Sequence, residues 1–188
     1  MIRIIGGTFK RRALKAIPRS PSLRPILARV RKSLFDILRP RLSGASFLDL
    51  YAGAGVVGLE ALSRGAEKVI FVENDSPTAG LIRKNLESFG LLERARVYRM
   101  NALGDLGILP KPFQIIFMGP PYKDSDKAPL RLVEPTLQNI WRAELLGAGG
   151  LIVAQHHKKE TFALPSEDWT VNRQERYGDT ILSFITGN

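Results

Sequence analysis

Residues 47–58, FLDLYAGAGVVG, constrain this chain more than any other stretch. Four apolar or aromatic residues, Phe47, Leu48, Leu50 and Tyr51, surround Asp49 and read as a short buried strand. Glycines follow at 53, 55 and 58, a spacing that predicts a sharp turn from strand into helix. Gly53 and Gly55 remove Cβ atoms where the loop needs unusual φ/ψ and a ligand can approach the backbone, and Gly58 allows close helix packing on the sheet. The first amides of the helix favour an anionic group. A nucleotide-like ligand over the turn is the implication.

The spacing alone leaves two ligand classes open, because G-x-G-x-x-G is also the dinucleotide fingerprint and Glu73 could hold a ribose in either case. Asp49 separates them. An acid at the end of a buried strand, four residues before the first glycine, would repel a pyrophosphate and welcome an amino group. S-adenosylmethionine carries an ammonium and a sulfonium at that end.

The periodicity along the chain predicts a mostly parallel sheet. Residues 3–17 read as short extended segments around the Gly6-Gly7 turn, and prolines 18, 21 and 25 bar regular structure until a helix starts at Pro25. That helix carries Leu27, Val30, Leu34, Ile37 and Leu38 at helical spacing and is expected to end at Pro40. Strands are expected at 47–51, 68–73, 95–100, 113–118 and 151–155, with helices at 55–64, from Asp75 or Ser76 to Gly90, and at 130–145. Residues 170–176 and 180–185 read as a closing antiparallel hairpin around Tyr177-Gly178-Asp179. The fold class is α/β: a doubly wound, mostly parallel seven-stranded sheet with a small basic N-terminal hairpin and helix appendage. Ligands in such sheets lie beyond the carboxyl ends of the strands, where Asp49 to Gly55, Glu73, Asn101 and Gly119 to Tyr122 fall.

Charge divides the chain into residues 1–45, a basic appendage expected to meet a polyanion, and residues 46–188, a near-neutral domain expected to carry the ligand turn. The first 45 residues hold 12 of the 28 Lys and Arg against one acid, Asp36, whereas the remainder holds 16 basic and 17 acidic residues. Solubilising charge would be spread out, so this asymmetry points to a polyanion, nucleic acid ahead of membrane. The chain has no cysteine, which excludes disulfides, thiolate ligands and a cysteine nucleophile, and His156 and His157 alone do not build a metal site, so no metal is expected. No signal-like segment or apolar run of membrane length is present, and a cytoplasmic monomer is expected.

With these residues in view, the chain resembles the class I S-adenosylmethionine-dependent methyltransferases, and more closely the RsmD family, which methylates the exocyclic N2 of a guanine in bacterial 16S ribosomal RNA. The similarity spans nearly the whole chain: RIIGG-x-F-K at 3–10, LRP and RVRKSLFDIL within 23–38, FLDLYAGAGVVGLEALSRGA at 47–66, VIFVEND at 69–75, PPY at 120–122 and YGDT at 177–180. The resemblance implies that Asp49, Gly53 and Gly55, with Tyr51 and Ala52, cradle the methionine part of the cofactor. It implies further that Glu73, beside Asn74, accepts from the ribose hydroxyls, and that Asn101 and Ala102 border the adenine. Lys10, Arg11, Arg12, Arg24, Arg29 and Arg31 would grip 16S RNA or the assembling small subunit.

An exocyclic amine is a poor nucleophile because its lone pair is delocalised, so a site must orient that lone pair and accept the N–H hydrogens. Gly119, Pro120, Pro121 and Tyr122 are the expected catalytic segment, with the tyrosine stacking on an extruded base. The family places Asp, Asn or Ser where this chain has Gly119. Two other departures are Ile26-Leu27-Ala28 in place of Thr-Thr-Asp and Gln155 in place of a Glu after the fifth strand. A non-catalytic or slowed RNA-binding relative with a degenerate GPPY site is the competing reading, and an amino-methyltransferase acting on DNA is a third.

Overall fold

The computed structural model describes residues 2–15, 26–124 and 126–187. Arg24, one of the expected RNA contacts, and Pro25, the expected helix start, lie outside the described residues. The main elements are α1 (Ala28–Leu42), β1 (Ser46–Leu50), α2 (Val56–Ser63), β2 (Lys68–Glu73), α3 (Ser76–Phe89), β3 (Ala95–Arg99), β4 (Phe113–Met118), α4 (Val133–Arg142), β5 (Leu146–His157), β6 (Trp169–Tyr177) and β7 (Thr180–Gly187). No helix among the described residues is long and apolar enough to cross a membrane.

The seven strands form one sheet in the order β3-β2-β1-β4-β5-β7-β6. Pairing is parallel from β3 through β5, and β7 runs antiparallel to both β5 and β6. Alternate strand residues feed two cores. Phe47, Val69, Phe71, Ile115, Phe117 and Val153 face α1, α2 and α3, whereas Leu48, Leu50, Ile70, Val72, Ile116 and Ile152 face α4. Both faces of the parallel strands are therefore covered, which is why residues 69–72 of β2 and 115–118 of β4 read as unbroken apolar runs.

β5 runs over Leu146–His157 rather than 151–155, α1 opens at Ala28, and two further boundaries differ from the sequence expectation for visible reasons. The first is at Pro40, which lies inside α1 rather than ending it. Pro40 gives up the amide hydrogen bond to the carbonyl four residues earlier, and the burial of Leu42, one turn beyond Leu38, offsets that cost. The second is α4, which is shorter than periodicity suggests. Arg131 sits in the left-handed region at φ 48°, and the amide of Leu130 donates to the carbonyl of Tyr122 at 3.1 Å, so the chain before Val133 belongs to the 122–130 loop.

The N-terminal residues do not form a separate core. Ile4 and Leu14, joined by an antiparallel Arg3–Ala13 bridge, bury into the same cluster as Val30, Leu34, Phe35 and Leu38 of α1. Their anchor is Glu60 on α2, a fully buried carboxylate. It accepts from the amide of Ile5 at 2.9 Å and from Nε of Arg64 at 2.7 Å, and lies 3.7 Å from Nε of Arg31. A buried charge holding three partners is costly to truncate, since each is left unpaired. Glu60→Ala should lower unfolding stability by about 3 kcal/mol. Asp36→Asn, which breaks only exposed pairs with Lys32 and Arg39, should change it by less than about 1 kcal/mol, both read by urea titration.

Candidate functional site

Strand order reverses at β1. The chain moves outward through β2 and β3, then returns to place β4 on the other side of β1. The loops after β1 and β4 diverge there and open a crevice at the carboxyl edge. The amide of Gly119 donates to the carbonyl of Leu50 at 3.4 Å, so the glycine turn and the proline segment start side by side.

The turn after β1 has the unusual backbone that its glycines predicted. Tyr51, Gly53 and Gly55 all have positive φ, at 60°, 54° and 73°. Gly55 caps α2, and a Cβ there would press within 3.2 Å of Ile82. At Gly58 a Cβ would collide with the ring of Phe71, which explains the third glycine by helix-on-sheet packing. Tyr51, the non-glycine residue strained into the left-handed region, is tied by its hydroxyl to Oγ1 of Thr136 on α4 at 2.7 Å.

Asp49 departs from the sequence expectation of an acid open to the ligand at the strand end. It is buried on the same sheet face as Phe47, and its Oδ2 accepts from the amide of Gly58 at 2.8 Å beneath the start of α2. The alternation of β1 explains this: the residue two after Phe47 faces the layer of α2. Burial pushes the Asp49 carboxyl well above the ordinary carboxylate range, opposed by the Gly58 amide and reinforced by the charge of Glu73.

Glu73, at the end of β2, is half-buried and spans two loops. Its Oε2 accepts from the amide of Gly53 at 2.7 Å and its Oε1 from the amide of Asp75 at 2.8 Å. A carboxylate offers about four lone-pair directions, so acceptor capacity remains for hydroxyl donors. Asp75 caps α3 through the amide of Thr78, and Asn74 is exposed beside it. Beyond β3, Asn101 accepts from the amide of Leu103, and Ala102 is buried with its carbonyl accepting from Asn139 Nδ2 at 2.9 Å.

In the proline segment, Pro120 is buried, Pro121 exposed and Tyr122 half-buried. The Tyr122 hydroxyl donates to Oγ1 of Thr180 at 3.3 Å, and its ring meets His157 edge-on with centroids 5.8 Å apart. Burial raises the pKa of that hydroxyl, opposed by hydrogen bonding with Thr180 and Gln155. Gln155, the residue of β5 just past its pairing with β4, lies alongside: its Nε2 is 3.9 Å from where a Cβ on Gly119 would stand. Its Oε1 is shielded from solvent and meets no donor among the described residues. An acceptor left so costs about 1–3 kcal/mol.

Three residues that organise this edge carry no motif. Asn139 bridges the carbonyls of Ala102 and Gly104, Thr136 holds Tyr51, and Glu160 accepts from the amide of Val133 to satisfy the start of α4. The helical face of 136 and 139 was visible in the sequence, but their partners are 35 or more residues away and follow only from the topology.

The cations expected on RNA separate in the structure. Arg31 is a correction: it is 3% exposed, donates to the carbonyl of Arg3 and faces Glu60, so it is a core residue. Helical spacing set it on a polar face because the N-terminal segment that covers it was not counted. Arg12 lies over the Phe89 ring at 4.1 Å and donates to the carbonyl of Ser88, which pins it to α3. Lys10 and Arg11 are exposed on a turn whose neighbours Thr8 and Phe9 hydrogen-bond Ser63, the last residue of α2. With eight residues in α2, that turn stands about 12 Å along the helix from the glycine turn. Arg29 is exposed at the first turn of α1, and Ser33, one turn on, hydrogen-bonds Tyr177 beside the Thr180 that holds Tyr122.

Comparison with known proteins agrees with this architecture. The family model described as Conserved hypothetical protein 95 matches residues 2–186. The chain is 37% identical to "Putative rRNA methyltransferase YlbH" of Bacillus subtilis over 95% of each chain. It is 34% identical to Ribosomal RNA small subunit methyltransferase D of Escherichia coli K12, covering 94% of this chain and 85% of the other. The solved structure described as "Putative methyltransferase yhhF from Escherichia coli" superposes with a TM-score of 0.83 at 32% identity, covering 99% and 97% of the two chains. With a model spanning all but its ends and relatives above 30% identity, the chain belongs to the RsmD-like family of class I methyltransferases.

Proposed function

We propose that this protein transfers a methyl group from S-adenosylmethionine to the exocyclic N2 of a guanine in 16S ribosomal RNA. The observation that carries the reading is the pairing of the glycine turn with the proline segment at the β1–β4 switch point, where donor and flat acceptor base would meet. The relatives named as small-subunit rRNA methyltransferases support the substrate class.

The cradle fits the cofactor. Gly53 and Gly55 keep the turn free of side chains, Glu73 has acceptor capacity for ribose hydroxyls, and Asn101 with Ala102 borders a slot for the adenine. Asp49 is buried below the turn, so its part is to hold α2 in place and to supply negative potential to a cationic ligand above. S-adenosylmethionine supplies an electrophilic methyl on sulfur when bound. The protein orients and desolvates: Tyr122 stacks the base, the Gly119 carbonyl accepts an amine hydrogen, and the prolines fix their separation. Arg29, near the Tyr122 rim, and Lys10 and Arg11, farther along α2, contact phosphates as the RNA-gripping part of residues 1–45. The enzyme acts as a cytoplasmic monomer on 16S RNA or the assembling small subunit. Gly119 favours a second reading, a non-catalytic RNA-binding relative, because it offers no side-chain acceptor.

Small subunits lacking the modification should accept tritiated methyl from S-adenosylmethionine; binding of the RNA with no transfer at any protein concentration would establish the second reading instead. Asp49→Asn should weaken S-adenosylmethionine binding by about tenfold in calorimetry while leaving the free protein as stable or more so. Its sign follows from the raised pKa: folding favours protonated Asp49, so wild-type stability falls as pH rises from the ordinary carboxylate range through the folded pKa, and the variant lacks that loss. Lys10→Ala and Arg11→Ala should each reduce the salt slope of RNA binding by about one, with no loss of cofactor affinity.

A further inference from the structure

Gly119 leaves the amine-binding corner short of an acceptor, and the structure holds an unused one beside it. Gln155 follows the last β4–β5 pair, Met118 opposite Ala154, as Gly119 does on the other strand, so the two residues are neighbours just past the paired run. The nitrogen of its amide lies 3.9 Å from where a Cβ on residue 119 would stand. Its oxygen is shielded and unpartnered among the described residues. The next residue on its strand contrasts with it: His156 is buried, and its Nε2 is satisfied by Ser183 at 2.8 Å. A shielded acceptor without a donor, next to the base-stacking tyrosine, is what an incoming amino group would satisfy.

We propose that the Gln155 side-chain oxygen is the second acceptor for the substrate amino group, in the role that residue 119 cannot fill. This rests on the methyl-transfer reading of the same site. With the Gly119 carbonyl on one N–H and Gln155 on the other, the nitrogen lone pair is turned toward the donor methyl. The N–C bond forms as the S–C bond breaks, the sulfur keeps its bonding pair, and the surplus proton on nitrogen leaves to water. The amide accepts a hydrogen bond and never the proton, since a carboxamide is too weak a base. Gln155 thereby selects purines that bear an exocyclic amine at this position.

Two readouts on folded variants test this. Gln155→Leu, matched in size but without the acceptor, should lower kcat for methyl transfer by about tenfold or more with KM for S-adenosylmethionine unchanged, and Gln155→Glu, which keeps an oxygen there, should retain most of the rate. In the presence of S-adenosylhomocysteine, the wild type should bind GMP several-fold more tightly than IMP, which lacks the amine, and Gln155→Leu should abolish the difference. Unchanged kcat in Gln155→Leu, equal loss in Gln155→Leu and Gln155→Glu, or a GMP preference that survives Gln155→Leu overturns the assignment. A wild type that transfers no methyl yet shows a Gln155-dependent GMP preference defeats the catalytic reading and keeps this one; active Gln155→Leu does the reverse.

Discussion

The bond from the Gly58 amide to the buried carboxyl of Asp49 underlies the rest of the site. It fixes the start of α2 directly over the end of β1, and so fixes the glycine turn that joins them. Glu73 adds the second tie by accepting from Gly53, so two acids hold a five-residue turn from below and from the side. Their arrangement has an electrostatic cost: burial disfavours the ionised form of Asp49, and the charge of Glu73 adds to it. A ligand with positive charge at that edge relieves the cost. The acid that shapes the turn therefore also sets its electrostatics.

The N-terminal segment has a similar double character. Its cations suggested a detached arm, yet Ile4, Leu14 and the Glu60 network weld it to α1 and α2. Arg31 is used up inward on Glu60 and the Arg3 carbonyl, while Arg12 stays exposed but is held against Phe89 and the Ser88 carbonyl. The positive surface that remains is smaller than the composition suggested. It is also anchored to rigid elements, so the phosphates it meets would be held at a set distance from Tyr122.

Gly119 and Gln155 illustrate how a sheet brings distant residues to one corner. The two residues are 36 positions apart, and their sharing of one corner depends on the parallel pairing of β4 with β5. A side chain lost on one strand end can be offset by one on the next only where a sheet holds both in register. A loop-built site would give no such neighbour.

Much of the fold was legible in the chain because local physics specifies it. β2 and β4 appeared as apolar runs at their observed bounds, Asp75, Pro77 and Gly90 marked α3, and the glycines at 53 and 55 announced positive φ. The reading failed where distant residues decide. Pro40 stays helical because Leu42 finds a core, α4 starts late because Arg131 and Leu130 belong to the Tyr122 loop, and Asp49 turns inward because α2 covers its face of the sheet. By itself the sequence determined the succession of strands and helices, the strained turn and the excess of positive charge, since periodicity, missing Cβ atoms and formal charge are local properties. Which cations stay at the surface, which acid is buried, and that Gln155 stands beside Gly119 were decided only by the tertiary structure, because burial and partnership depend on what the rest of the chain packs against each residue.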